Sequence, residues 1–137
     1  MEVPYPLGHA DDEVARLMRQ GAFFRDLTDD FLRHAGIEPG MRVLDVGCGV
    51  GDVTLLAGEL VGPAGAVVGV DQGEAAVAVA AERAARAGFD HVRFQVADAA
   101  TVALDEAVDA VIGRLVLMYQ PDPAAVLRHL AAQTRPG

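Results

Sequence analysis

The sequence contains no lysine; all eleven of its basic residues are arginine, set against 20 acidic residues for a net charge of -9. Without lysine the chain cannot form a P-loop, in which that residue reaches the terminal phosphates of a nucleotide. An acidic chain without clustered cations does not suit nucleic acid either. The arginine-only basic set and the abundant alanine read as genome composition rather than function. A single cysteine, Cys48, excludes an internal disulfide framework and a multi-cysteine zinc site, and it fits a reducing compartment. His9, His34, His91 and His129 are scattered without metal-ligand spacing, so no metal is expected and each reads as a surface or helix-end residue. His9, beside "PLG", is the weak exception. No run approaches the roughly 18 apolar residues of a membrane span. The acidic start "MEVPYPLGHADDEVARL" has neither the basic nor the apolar region of a secretory signal. The expected location is the cytoplasm, with neither membrane nor nucleic acid as partner.

What is present is a hydrophobic chain of 137 residues, enough for one domain with a moderate core. Residues 1–40 read as an N-terminal helical cap. Asp11 or Asp12 can start a helix running to about Gln20. A second helix, roughly Ala22 to His34, sets Phe23, Phe24, Leu27, Phe31 and Leu32 at helical spacing. "GIEPGM" ends it. Residues 41–137 then alternate. "RVLDVG", "GAVVGVD" and "HVRFQVAD" read as strands, with a fourth near Val108 to Gly113. Helices are expected from Asp52, over "EAAVAVAAERAARAG" up to Gly88, and over "DPAAVLRHLAAQT" with Pro123 in its first turn. This order predicts an α/β fold, a Rossmann-like doubly wound parallel sheet. The first and fourth strands have little polar relief, which suits strands covered on both faces. The third alternates Val92, Phe94 and Val96 with Arg93 and Gln95, which suits an edge. The expected order is 3-2-1-4, with the ligand crevice at the switch point between strands one and four. After Thr134 only "RPG" follows, so the C-terminal strands of such a sheet are expected to be missing. The fourth strand is then an edge open to homodimer formation.

The segment "VLDVGCGVGDVT" joins the first strand to its helix and places Gly47, Gly49 and Gly51 at alternate positions. The dinucleotide fingerprint G-x-G-x-x-G requires glycine at position 52, and an aspartate stands there. Asp52, whether a helix N-cap or a crevice residue, opposes a pyrophosphate at the helix N-terminus. Asp71 ends the second strand twenty residues beyond Gly51, where an acid can accept from both hydroxyls of a ribose; the bland alternative is a solvated strand-end aspartate. Asp98 ends the third strand, where it either accepts from an adenine amine, with the Ala99 N–H on a ring nitrogen, or caps a short turn. Asp45, Asp52, Asp71 and Asp98 around one crevice suit a ligand with adenosine at one end and positive charge at the other. S-adenosylmethionine has that form, with no phosphate to repel.

These motifs resemble class I S-adenosylmethionine-dependent methyltransferases over nearly the whole chain, particularly the bacterial small-molecule enzymes that begin with Y-x-L-G, here Tyr5 to Gly8. "VLDVGCGVGDVT", "VVGVD" and "FQVADA" match the family's first three motifs. In "VDAVIGRLVLMYQPDP", Val108 replaces a common aromatic. The resemblance implies a cofactor-binding set of Asp45, Gly47, Cys48, Gly49, Gly51, Asp71, Gln72, Asp98 and Ala99, with Cys48 as a small filler rather than a nucleophile. Arg114 either contacts the cofactor carboxylate or an anionic acceptor, or is a surface arginine. Gln20 and the Phe23–Phe24 pair fold over the cofactor or simply pack. Met118 and Tyr119 line the acceptor side or pack. Methyl transfer from a sulfonium needs positioning and water exclusion more than a nucleophilic side chain, so no catalytic residue is assigned. The expected function is methylation of a small-molecule acceptor. The alternatives are an NAD-linked Rossmann oxidoreductase and a non-catalytic cofactor-binding fragment.

Overall fold

The computed structural model of the protein describes residues 24–113 and 121–136. Residues 24–34 are helical and are called α1. They are followed by β1 (Arg42–Val46), α2 (Asp52–Val61), β2 (Ala66–Asp71), α3 (Glu74–Arg86), β3 (Val92–Val96), β4 (Ala110–Gly113) and α4 (Pro123–Ala131). All strand pairs are parallel and the order is β3-β2-β1-β4, as the sequence predicts.

Strand periodicity divides the core into two layers. Val43 of β1 and Val67 of β2 face Leu32, Leu56, Ala57, Leu60, Val61 and Ala84 on one side of the sheet. Leu44, Val46 and Val70 face Ala99, Val102, Val126 and Leu130 on the other. Alternate residues of a strand point to opposite faces, so the apolar run in β1 serves both layers. Burying each such valine or leucine contributes roughly 1.5–3 kcal/mol, which makes β1 the strand least tolerant of polar substitution. β3 is the expected edge: Val92 is buried, while Arg93, Gln95 and Val96 are exposed.

One expectation needs correction. β4 begins at Ala110 rather than Val108 and is half-buried, because among the described residues only β1 pairs with it. Val108 instead forms an isolated parallel bridge with Thr134, where the Val108 N–H donates to Gln133 O at 2.9 Å and the Arg135 N–H to Val108 O at 2.8 Å. The sheet of the described residues stays four-stranded, and the chain after α4 returns to it through this isolated bridge. In α1 the apolar residues divide: Leu32 is buried, while Phe24, Leu27 and Phe31 face outward. The helix expected to end near Gln20 lies outside the described residues.

Helix termini follow local chemistry. Asp122 caps α4 by accepting from the Ala125 N–H at 3.1 Å, with Pro123 in the first turn, where its missing N–H costs nothing. α3 is followed by Gly88 at φ 76°. α2 has no side-chain cap: its N-cap is Gly51, and Asp52 is its first helical residue.

Candidate functional site

β1 ends at the carboxyl edge of the sheet, and the chain turns into α2 through Gly47, Gly49 and Gly51, all with positive φ. The requirement is clearest at two of them. Gly49 has φ 55°, and a Cβ built on it meets nothing within 4 Å among the described residues, so they leave the turn open on that side. Gly51 has φ 91°, and a Cβ there would lie 3.1 Å from Ala80 Cβ and 3.2 Å from Phe94 Cζ, so the turn is closed below. L-residues with a Cβ rarely adopt these angles.

The turn is pinned to the neighbouring strand. The Cys48 N–H donates to Val70 O at 2.9 Å, and the Gly51 N–H donates back to Cys48 O at 2.9 Å. The Gly49 N–H donates to Asp71 Oδ1 at 3.2 Å, and the Gly73 N–H to Asp71 Oδ2 at 2.9 Å. One backbone amide thus holds each oxygen of Asp71. A carboxylate has about four acceptor positions, so each oxygen can accept again from a ligand. Gln72 follows, exposed. The Ala97 N–H donates to Asp71 O at 3.0 Å, which draws the end of β3 alongside. Asp98 there accepts from the Ala100 N–H through Oδ1 at 2.9 Å, and its carbonyl accepts from Thr101 and Val102. It is a turn-capping residue, and this leaves Oδ2 for a ligand. The Ala99 side chain is buried against Leu44, Val46 and Val70, and its N–H donates to no described residue.

Two of the four aspartates are engaged by side chains of the fold. Asp45 is only 3% exposed and accepts from Thr54 Oγ1 at 2.6 Å, which braces β1 against α2. Asp52 is exposed and turned away to Arg83 on α3, with Nη1 to Oδ1 at 2.8 Å. Gly69 explains how the layer beneath closes. It sits in register between Asp45 and Phe94, and a Cβ on it would come within 2.8 Å of the Phe94 ring. Glycine at 69 lets that ring lie under the turn.

Cys48 is buried in the turn, and its thiol is pushed up from an ordinary 9.0 to about 12, by burial first and then by the carboxylates of Asp45 and Asp71. It stays protonated near neutrality, as a filler does and a thiolate nucleophile does not. Gln20, Phe23, Arg114, Met118, Tyr119, His9 and the Tyr5–Gly8 segment lie outside the described residues. Thr54, Arg83 and Phe94 were missed in the sequence. Only Thr54 had a local signal, as the hydroxyl of the helix that follows the glycine turn.

A second concavity, a cleft of about 200 Å³, lies at the opposite end of the sheet, lined by Arg42, Val43, Ala66, Val68, Arg93 and neighbouring residues at or near the strand beginnings. Ligands of open parallel sheets bind at the carboxyl ends of the strands, and this cleft is at the wrong end. Its Arg42 is already paired with Glu106 at 2.7 Å. Among the described residues no group of three or more His, Cys, Asp or Glu side chains is placed to hold a metal, and no helix is long and apolar enough to cross a membrane.

A parallel sheet of this order, with flanking helices and a glycine turn after its first strand, defines a Rossmann-like domain. The family profile described as "Methyltransferase domain" matches residues 37–137, and the chain belongs to that family. It is 37% identical over 115 residues to nocamycin O-methyltransferase of Saccharothrix syringae, covering 83% of this chain and 41% of that protein. It is 32% identical over 109 residues to demethylmenaquinone methyltransferase of Halalkalibacterium halodurans, covering 79% of this chain and 44% of that protein. Among solved structures, a SAM dependent methyltransferase from Aquifex aeolicus superposes with a TM-score of 0.74 at 27% identity, over 80% of this chain and 58% of that one. The chain spans under half the length of these two curated relatives.

Proposed function

We propose that the chain forms the S-adenosylmethionine-binding part of a methyltransferase that acts on a small-molecule acceptor. The observation that carries this is the carboxylate of Asp71, aimed by the Gly49 and Gly73 amides beside a turn that is open at Gly49. The donor set fits the cofactor. Asp71 has acceptor capacity for two ribose hydroxyls. Asp98 Oδ2 and the Ala99 N–H offer an acceptor and a donor for an adenine edge. The glycine turn exposes backbone, without a side chain, to an amino-acid tail. The small-molecule acceptor is supported by the names of two relatives, a nocamycin O-methyltransferase and a demethylmenaquinone methyltransferase.

The bound cofactor supplies an electrophilic methyl group. The chain's own part is to hold it, orient it and exclude water. Asp71 fixes the ribose, and Thr54 with Asp45 keeps the end of β1 rigid beneath it. Gln20 and Arg114 are proposed as further contacts on the cofactor or acceptor side. The edge of β4 that no strand of the described residues covers is proposed as a homodimer contact, and the free thiol of Cys48 fits a cytoplasmic setting. Residues 1–40 are proposed as a helical cap on the 41–137 unit.

Calorimetric titration of the purified chain with S-adenosylhomocysteine and, separately, with NADH tests the proposal. Binding of the first alone is expected. Binding of NADH alone overturns the cofactor assignment in favour of an oxidoreductase.

A further inference from the structure

Arg83 lies on α3, and its Nη1 reaches back over the glycine turn to donate to Val50 O at 2.7 Å and Asp52 Oδ1 at 2.8 Å. The peptide that joins Val50 to Gly51 is therefore held at both ends. Its carbonyl is bound by Arg83, and its N–H donates to Cys48 O at 2.9 Å. A peptide unit is planar, so fixing the oxygen and the N–H fixes the whole plane. This lock sits where the turn is otherwise weakest. Gly51, at the N-cap of α2, supplies no side-chain hydrogen bond, and glycine on both sides of Val50 allows the backbone many alternatives. The restrained loop, Cys48 to Gly51, contains Gly49, whose N–H meets Asp71.

We infer that Arg83 is a positioning residue: it clamps the Val50–Gly51 peptide from the far side of the turn and so holds Gly49 and Asp71 in the arrangement that receives the cofactor. This rests on the cofactor reading above. The Arg83–Asp52 pair itself is well exposed, with side chains 41% and 66% accessible, and an ion pair of that kind adds little to global stability. Removing Arg83 should therefore loosen the turn without unfolding the domain. Asp52→Asn separates the two bonds, since it removes the charge partner and leaves the bond to Val50.

The test uses the 137-residue chain as wild type, Arg83→Ala, Arg83→Lys and Asp52→Asn, with two readouts: amide hydrogen exchange by NMR and calorimetric affinity for S-adenosylhomocysteine. In Arg83→Ala the Gly51 amide should exchange at least about tenfold faster while Leu44 in β1 is unchanged, and affinity should fall about tenfold. Lysine, which keeps a donor at the end of a flexible stem, should restore much of both. Asp52→Asn should have the smaller effect. Unchanged Gly51 exchange in Arg83→Ala overturns the clamp, whatever the ligand does. Faster exchange with unaltered affinity overturns its role in receiving the cofactor. If wild type fails to bind S-adenosylhomocysteine, the functional reading and the cofactor link fail together, while the exchange data still decide whether the clamp exists.

Discussion

Two alanine substitutions two residues apart, Gly49→Ala and Gly51→Ala, should fail in different ways. Gly49 has φ 55°, close to the centre of the left-handed region, and its Cβ would meet no described residue within 4 Å. The folding penalty is then the backbone strain alone, about 1 kcal/mol, partly offset by the lower entropy of alanine in the unfolded chain. Gly51 at φ 91° lies outside that small region, and its Cβ would press on Ala80 and the Phe94 ring at 3.1 and 3.2 Å. Strain of about 2 kcal/mol and overpacking of about 1–3 kcal/mol give a loss of roughly 3–5 kcal/mol. At about 3 °C per kcal/mol, thermal unfolding followed by circular dichroism should show a fall of about 3 °C or less for Gly49→Ala and about 10 °C or more for Gly51→Ala. Affinity for S-adenosylhomocysteine should behave in the opposite sense. The new methyl of Gly49→Ala occupies the face of the turn where a ligand must approach the backbone, and binding should weaken at least about tenfold in a folded protein. Wild-type affinity in Gly49→Ala would refute the approach argument. A larger loss of stability at 49 than at 51 would refute the packing argument.

Asp71→Ala should weaken cofactor binding by about ten- to a hundredfold, corresponding to roughly 1.5–3 kcal/mol for a charged acceptor; Asp71→Asn, which keeps one acceptor oxygen, should lose less, and titration calorimetry measures both. Thr54→Val removes the donor to the buried carboxylate of Asp45 at nearly constant volume, and denaturant unfolding should show a loss of about 1–3 kcal/mol. Cys48 gives a pH prediction. The folded chain keeps the thiol proton up to about 12, while the unfolded chain releases it near 9.0. Between those values the folded state binds more protons, so stability falls as pH rises through that window. Urea midpoints for Cys48→Ala should fall less steeply above pH 9 than those of wild type, and parallel curves would sink the assignment.

Much of this was legible because local patterns carry it. The change from 3.6-residue to alternating periodicity located the strands. The apolar residues Val43, Leu44 and Val46 placed β1 at the centre, and the alternation in β3 placed it at the edge. Asp71 could be read from its distance beyond the glycines, since chain length alone brings the end of the second strand back to the turn. The fate of Asp52 could not be read this way. Its neighbours in sequence suggested a place in the crevice, but its partner Arg83 is 31 residues away, on a helix face that periodicity describes only as polar. Phe94 is similar. Its helix-facing side was visible, yet its place under Gly51 depends on Gly69 in the intervening strand. The start of β4 was placed two residues too early because Val108 is apolar and buried, and burial alone does not distinguish a ladder residue from a bridge to Thr134.

The elements that brace Asp71 all come from one contiguous stretch, from Asp45 on β1 to Ala97 beyond β3, and their hydrogen bonds close on one another. β4 and α4 reach that stretch chiefly through the ladder with β1 and the second core layer. Such an arrangement is modular. Under the proposed function, a change of length or chemistry after Gly113 would alter what is modified and leave the hydrogen bonds that brace Asp71 in place.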